Sequence, residues 1–422
     1  MKVYKFGGAS VRNAAGVRNV VSIVSKEAGE LLVVVSAMGK TTNALERLVS
    51  LSLSGEDELM LRQLNDIREY HYGIINDLYP CGHQFLQNKI EVILQHIHDI
   101  CKAVEKLQPD YDSFYDSVVS CGELMSTRIM LYVLDREGQE NVFLDMTKLL
   151  VTDNTFREAR PQMSESEHAL RTYIGQHPSR IYVAQGFIGG TRDGKPTTLG
   201  REGSDYTAAL LANMLDAESV TIWKDVDGVL NADPRLFPDA TLISELTYFD
   251  AVELAYSGAQ VIHPKTIRPL ENKHIPLYVR PFLSPDAQGT VIKDTTAKPI
   301  DIPVYIWRKN QVLVTLRAKD FSFVLEDSLN RLFETIYRNR LKVSLIQSSA
   351  VTVSVCVDKS RYLDAALEEL REEYKVTFNE GLSLLTIRGT TPEIIAAQTA
   401  EKQILLSQTT RRTARFVIKE EV

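Results

Sequence analysis

The residues able to do chemistry fall in short, glycine-bearing segments. Lys5-Phe6-Gly7-Gly8-Ala9-Ser10 sets a lysine just ahead of two glycines. Glycine lets backbone N–H groups approach a phosphate closely, and a helix that starts there favours anions. The segment is neither G-x-x-x-x-G-K-[ST] nor G-x-G-x-x-G, and alone it also reads as a tight turn with a surface lysine. Ser36-Ala37-Met38-Gly39-Lys40-Thr41-Thr42-Asn43 puts small hydroxyls at the end of an apolar run, where open α/β sheets bind ligands. An ordinary loop with Thr41 or Thr42 as helix cap is the plain alternative. In Ser120-Cys121-Gly122-Glu123-Leu124-Met125-Ser126, Glu123 could hold an ammonium, or sit in a helix first turn favoured by the dipole.

The most specific segment is Thr198-Leu199-Gly200-Arg201-Glu202-Gly203-Ser204-Asp205-Tyr206. Arg201 offers a two-pronged fork for carboxylate or phosphate. Gly203 permits close approach, and Ser204 and Asp205 open a helix; a charged turn with an Asp cap is the alternative. Trp223-Lys224-Asp225-Val226-Asp227-Gly228, followed by Asp233-Pro234-Arg235, brings acids and cations to a strand end, which suits the ribose and phosphates of a nucleotide. Ser257 to Lys265 adds another cation.

These segments need a scaffold, and the chain spells one out. Val3 to Phe6 reads as a strand, Asn13 as the cap of a helix carrying Val17, Val20, Val21 and Val24, and Leu31 to Val35 as a strand covered on both faces. Strand, glycine turn, helix, strand predicts a mostly parallel sheet. Residues 56–104 predict two or more helices broken near Pro80-Cys81-Gly82, and His71, His83, His96 and His98 there read as packed or solvated. The α/β alternation resumes with strands at Ile181 to Phe187, Val220 to Trp223 and Ile275 to Val279, and helices at Ser204 to Leu215 and Phe249 to Tyr256. Beyond a boundary at Asp294 to Pro303, strands at Val312 to Leu316, Val343 to Ile346, Val351 to Val357 and Val376 to Phe378 alternate with helices at Leu325 to Arg338 and Tyr362 to Glu373. That is the split βαβ order. A strand at Leu382 to Ile387, a helix at Pro392 to Leu406 and a strand at Arg415 to Ile418 follow, short for a second copy.

Bulk properties narrow the class. The 422 residues are 44% hydrophobic and 24% charged, with net charge −7, which argues against a nucleic-acid binder. Leu31 to Val35 is too short to span a bilayer, and no secretory h-region follows Met1, so neither a membrane nor export is expected. Cys81, Cys101, Cys121 and Cys356 lack C-x-x-C or zinc spacing and read as reduced thiols of a cytoplasmic protein.

The segments KFGGASV, VVVSAMGKTTN, SCGELMST, TLGREGSDYTAALLA, IWKDVDGVLNADPR and GAQVIHPKTI together closely resemble the aspartate kinase family of amino-acid kinases, over roughly residues 1 to 293. The resemblance implies an amino-acid-kinase (carbamate-kinase-like) α/β fold: a mostly parallel sheet sandwiched by helices, with ferredoxin-like ACT modules after it. The domains expected are catalytic residues 1–293 with a helical insertion at about 56–115, a linker at 294–310, and an ACT-like region at 311–422. The first module of that region would span about 311–380, and a truncated second module 381–422. The insertion looks like that of lysine-sensitive and bifunctional members; a fused homoserine dehydrogenase is not expected. The implied reaction moves the γ-phosphate of ATP, with Mg²⁺, onto L-aspartate, opening the lysine, threonine and methionine pathway. Another small-carboxylate kinase, or a silent amino-acid sensor, is the competing reading.

By the same resemblance Lys5 would contact the γ-phosphate, and Gly7, Gly8 and Ser10 would line its path. Ser36 and Thr42 would touch aspartate, Glu123 would take its ammonium and Arg201 its α-carboxylate. Ser204 and Asp205 would complete the transfer site, and Lys224, Asp225, Arg235 and Lys265 would surround the nucleotide. No metal ligand is expected from the protein, Mg²⁺ being held through the ATP phosphates. Ala9 stands where the family usually has threonine, Gln260 where many members have lysine, and Glu202 at a variable position. An amino-acid effector is possible at the ACT region, but Ser344 and Ala350 stand where lysine-sensitive members carry acids, so weak or absent lysine inhibition is expected. A homodimer or larger homo-oligomer is also expected.

Overall fold

The computed structural model describes residues 1–258, 262–295, 300, 302–319 and 326–419, apart from the side chains of 326–328. Two compact units divide it. The first comprises Met1–Val229, Leu242–Val252 and Val261–Ala297, the second Leu230–Thr241, Glu253–Gln260 and Lys298–Val422.

The first unit is built on an eight-stranded sheet. The apolar run Leu31–Val35 is wholly buried and runs parallel to Lys2–Phe6 on one side and Ile181–Gln185 on the other. Ser219–Lys224 lies parallel to Lys2–Phe6 on its far side. Four neighbouring strands therefore end side by side, at Lys224, Phe6, Val35 and Gln185. Their carboxyl ends are where an open parallel sheet binds ligands. Leu277–Pro281 extends the parallel set, while Thr290–Lys293 pairs antiparallel to it near one edge.

Asn13 caps the helix Ala14–Ser25 as expected, its side chain accepting the Gly16 N–H at 2.9 Å. The helical insertion breaks at the anticipated place, between Asp57–Leu78 and Gln84–Leu107. His71 is packed inside it; burial pushes its pKa down to about 4, so it is a neutral core residue. Tyr111–Val119 and Cys121–Arg136 follow. This last stretch is, among the described residues, the one helical run long and apolar enough to cross a membrane, but 72% of its apolar window is buried inside the protein. Its hydrophobicity is therefore used by the core.

The second unit holds a six-stranded antiparallel sheet whose centre is two fifteen-residue strands, Val304–Ala318 and Tyr374–Arg388. Their paired halves serve two half-sheets. One half continues through Thr352–Asp358 and Val343–Ser348, with Leu332 and Ile336 packed against Leu363, Leu367 and Leu370 from the helix Leu363–Glu373. The other continues through Thr413–Lys419 and Ile404–Thr409, beside the helix Pro392–Thr399.

Two expectations are corrected here. The strand begins at Val304, inside the stretch expected to be a linker, and its residues 304–308 pair with 384–388 of the second half-sheet. That half-sheet is thus completed by a segment that precedes the first module. The helix expected over Pro392 to Leu406 stops at Thr399, and Ile404–Thr409 is a strand. A short apolar run cannot tell helix from strand by periodicity, and here pairing with Thr413–Lys419 decides it.

Candidate active site

Lys5 is the penultimate residue of the first strand and only 7% exposed; Asp205, in the first turn of the helix Gly203–Met214, is 2% exposed. Lys5 Nζ lies 2.5 Å from Asp205 Oδ1, and Lys224 Nζ, from the neighbouring strand end, lies 3.2 Å from Oδ2. Burial alone would raise the Asp205 pKa, but the two ammoniums outweigh it and hold the carboxyl below its ordinary range. Burial pulls Lys224 down while Asp205 and then Glu202 push it up, with a net rise. Two ammoniums from adjacent strand ends thus converge on one buried carboxylate, a cationic focus beside which an anion could be held.

The glycine loop sits against this group. A Cβ on Gly7 would lie 3.6 Å from Lys5 Nζ, and one on Gly8 would lie 2.6 Å from the Ala37 carbonyl and 2.9 Å from that of Gly39. Gly39 donates its N–H to the Gly8 carbonyl at 2.9 Å. The loops after the first and second strands touch backbone to backbone, which at Gly8 only glycine permits. Ser10 is buried in the same loop, its N–H on the Gly7 carbonyl at 2.9 Å.

Glu123 faces the second loop from the helix Cys121–Arg136. Its Oε1 accepts the Ala37 N–H at 3.1 Å, while its buried Oε2 has no hydrogen-bond partner among the described residues. Burial pushes its pKa up to about 8, against the lowering effect of Ala37 and, more weakly, Lys5. A buried acceptor without a donor is costly unless a ligand supplies one. Ser36 is half-buried at the head of that loop, its N–H on the Phe6 carbonyl at 3.1 Å. Ser204 packs against the end of the third parallel strand, where a Cβ on Gly186 would meet Ser204 Cβ at 2.5 Å. The helix after the loop starts at Thr41 with Lys40 as its cap residue, so neither threonine caps it; Thr41 Oγ1 donates instead to the Met38 carbonyl at 2.6 Å, and Thr42 is half-buried in the first turn.

The remaining expected residues are placed less tightly. Arg201 and Asp225 are exposed beside the group. Lys265 is exposed in the first turn of Pro264–Glu271, its N–H on His263 Nδ1 at 3.1 Å. Arg235 belongs to the second unit and folds onto Asp233 at 2.7 Å. Gln260 lies outside the described residues. The residue discounted from sequence is Glu202. It sits at φ 54°, left-handed backbone that favours glycine, with Oε2 buried and without a hydrogen-bond partner among the described residues, and burial raises its pKa despite Lys224. Its signal was the bulky acid between Arg201 and Gly203.

A model of the amino acid kinase family matches residues 1–281. Lysine-sensitive aspartokinase 3 of Escherichia coli (strain K12) is 33% identical over 397 residues, covering 92% of this chain and 86% of that protein. Bifunctional aspartokinase/homoserine dehydrogenase 2, chloroplastic, of Arabidopsis thaliana is 32% identical over 395 residues, 90% of this chain but 42% of that protein. The chain thus spans less than half of that bifunctional relative. The crystal structure of E. coli aspartokinase III in complex with aspartate and ADP (R-state) superposes with a TM-score of 0.86 at 30% identity, covering 99% of this chain and 96% of that one. The same enzyme in complex with lysine and aspartate (T-state) gives 0.77 at the same identity and coverage.

Proposed function

The chain belongs to the amino acid kinase family, in its aspartokinase branch, and from that premise we propose that it transfers the γ-phosphoryl group of ATP to the side-chain carboxylate of L-aspartate, releasing ADP and 4-phospho-L-aspartate. The observation that carries this reading is the pair of ammoniums, the buried Lys5 and the half-buried Lys224, on the two oxygens of Asp205 at neighbouring strand ends.

The chemistry asks for little more. A side-chain carboxylate with a pKa near ~4 is ionised at neutral pH, so the nucleophile needs no general base. The barrier lies in bringing it against a polyphosphate, and positioning plus cationic stabilisation answers that. Lys5 is the residue we assign to the transferred phosphoryl, with Gly7, Gly8 and Ser10 lining its path. Asp205 orients Lys5 and Lys224, and its charge favours the protonated form of Lys224. On the acceptor side Glu123 takes the substrate ammonium on its unpartnered oxygen, Arg201 takes the α-carboxylate, and Ser36, Thr42 and Ser204 flank the side chain. Lys224 and Asp225 face the nucleotide, with Lys265 as an outer cation.

Mg²⁺ supplies charge neutralisation on the nucleotide. Asp205 is taken up by two lysines, so in this reading the ion would come with the ATP phosphates. The four cysteines are free and three are buried, in keeping with a reducing cytoplasm. The ACT-like second unit is where an amino-acid effector and a homodimer contact belong in this reading.

Coupled ADP release tests it. Turnover should depend on L-aspartate and exceed that with glutamate, acetylglutamate or a nucleoside monophosphate. Preference for one of those acceptors would replace the substrate, and no aspartate-dependent release would favour a silent sensor.

A further inference from the structure

Asp116 is fully buried on the helix Tyr111–Val119 and belongs to none of the loops above. Its Oδ2 accepts two backbone N–H groups, from Thr198 at 2.8 Å and Arg157 at 2.9 Å, and its Oδ1 accepts the Thr198 hydroxyl at 2.7 Å. Burial raises its pKa to about 6 against those bonds. A buried carboxylate is expensive, and three well-placed donors are what make it tolerable.

What those donors belong to is informative. Thr198 lies three residues before Arg201. Arg157 sits at φ 68°, and its carbonyl lies 3.1 Å from where a Cβ on Gly200 (φ 77°) would be. Ala159 donates its N–H to the Thr198 carbonyl at 3.0 Å. The Arg157 guanidinium is held by the same helix, 4.5 Å from the Tyr115 ring centroid and 3.4 Å from Asp112. The helix itself leads, through Ser120 alone, into the one that carries Glu123. The adjacent Tyr115 donates its hydroxyl to Glu46 at 2.5 Å, on the helix that opens with Thr41 and Thr42.

We infer that Asp116 is a positioning residue for the amino-acid substrate: it fixes the loop bearing Arg201 against the helix leading to Glu123, and so sets the separation of the groups that take the α-carboxylate and the α-ammonium. This rests on the assignment of Glu123 and Arg201 given above. Asp116 touches neither ligand. A rigid frame behind two recognition groups preserves a geometry in which a shift of 1 Å is costly.

The test is steady-state kinetics of the full-length enzyme with each substrate varied. Asp116→Ala should raise KM for aspartate by about tenfold or more, leaving KM for Mg-ATP and kcat within about threefold. Asp116→Asn should rescue most of the loss. Its amide oxygen can accept both N–H groups, and its NH₂ can donate to the Thr198 hydroxyl, which also accepts. Thr198→Val removes one bond only and should raise KM for aspartate about threefold, so it decides the matter if Asp116→Ala does not fold. Equal rises in both KM values, a fall confined to kcat, an Asn variant as impaired as Ala, or an unchanged KM in Thr198→Val would each overturn the inference while the wild type still turns over aspartate. A wild type without aspartate-dependent turnover overturns the functional reading, and this inference with it.

Discussion

The ammonium of Lys5 lies 2.5 Å from Oδ1 of Asp205, tying the first strand of the sheet to the first turn of the helix Gly203–Met214. Both groups are buried, so removing one exposes the other to an unfavourable interior. Lys5→Met is expected to lower kcat by ~10²-fold or more, as loss of a preorganised charge at the reacting group does. Stability should fall by less than the roughly 3–5 kcal/mol of a broken buried pair, because Lys224 still holds Oδ2. Kinetics and urea unfolding check both, and near-normal turnover would remove Lys5 from the reaction.

Glu123 makes aspartate binding a proton-releasing step. Burial lifts its pKa from the ordinary 4.5 to about 8, so the folded state holds more protons than the unfolded chain between those values. Its favourable contribution to stability is complete below about 4.5 and is lost as pH rises to about 8. A substrate ammonium at Oε2 favours the ionised form, so binding at pH 7 should expel up to about one proton. Calorimetry in buffers of different ionisation enthalpy reads this directly. Glu123→Gln should abolish the release and raise KM for aspartate more than for ATP; a buffer-independent heat in the wild type sinks the idea.

Gly8→Ala should keep the fold and lose the site. The added methyl would meet two backbone carbonyls at 2.6 and 2.9 Å, and neither can swing aside as a side chain could. The loops after the first two strands must part. Turnover is expected to fall about tenfold or more with circular dichroism unchanged; full activity would show that the loop contact is not needed.

Glu202→Gly should stabilise the protein. Left-handed backbone costs a non-glycine residue about 1 kcal/mol, and the buried Oε2 has no hydrogen-bond partner among the described residues. A rise of about 1 kcal/mol in unfolding free energy is expected, tempered by the greater freedom of glycine in the unfolded chain. A lower denaturation midpoint would mean that Glu202 contributes through Lys224 more than it costs.

Lysine should be a poor inhibitor. Ser344 is buried, its Oγ without a hydrogen-bond partner among the described residues, and Ala350 is exposed, so neither position offers the charge an ammonium needs on leaving water. Turnover should be unaffected by millimolar lysine; a low-micromolar inhibition constant would contradict this.

What the sequence determined by itself is local. The strand-end loops, the Asn13 cap, the break at Pro80 and the buried run Leu31–Val35 are all written in neighbouring residues, because backbone freedom, capping and burial period act over a few positions. Fold class and the segments of the site followed from them. Tertiary structure alone decided who meets whom. That Lys224 shares Asp205 with Lys5 depends on strand order, since Ser219–Lys224 lies next to Lys2–Phe6. That Asp116 braces Thr198 depends on a helix lying against a distant loop. The strand Val304–Ala318 serves both half-sheets, and Arg235 falls in the second unit, for the same reason. Periodicity records that a residue is buried but not its partner, and long-range pairing is settled by which contacts close together when the chain folds.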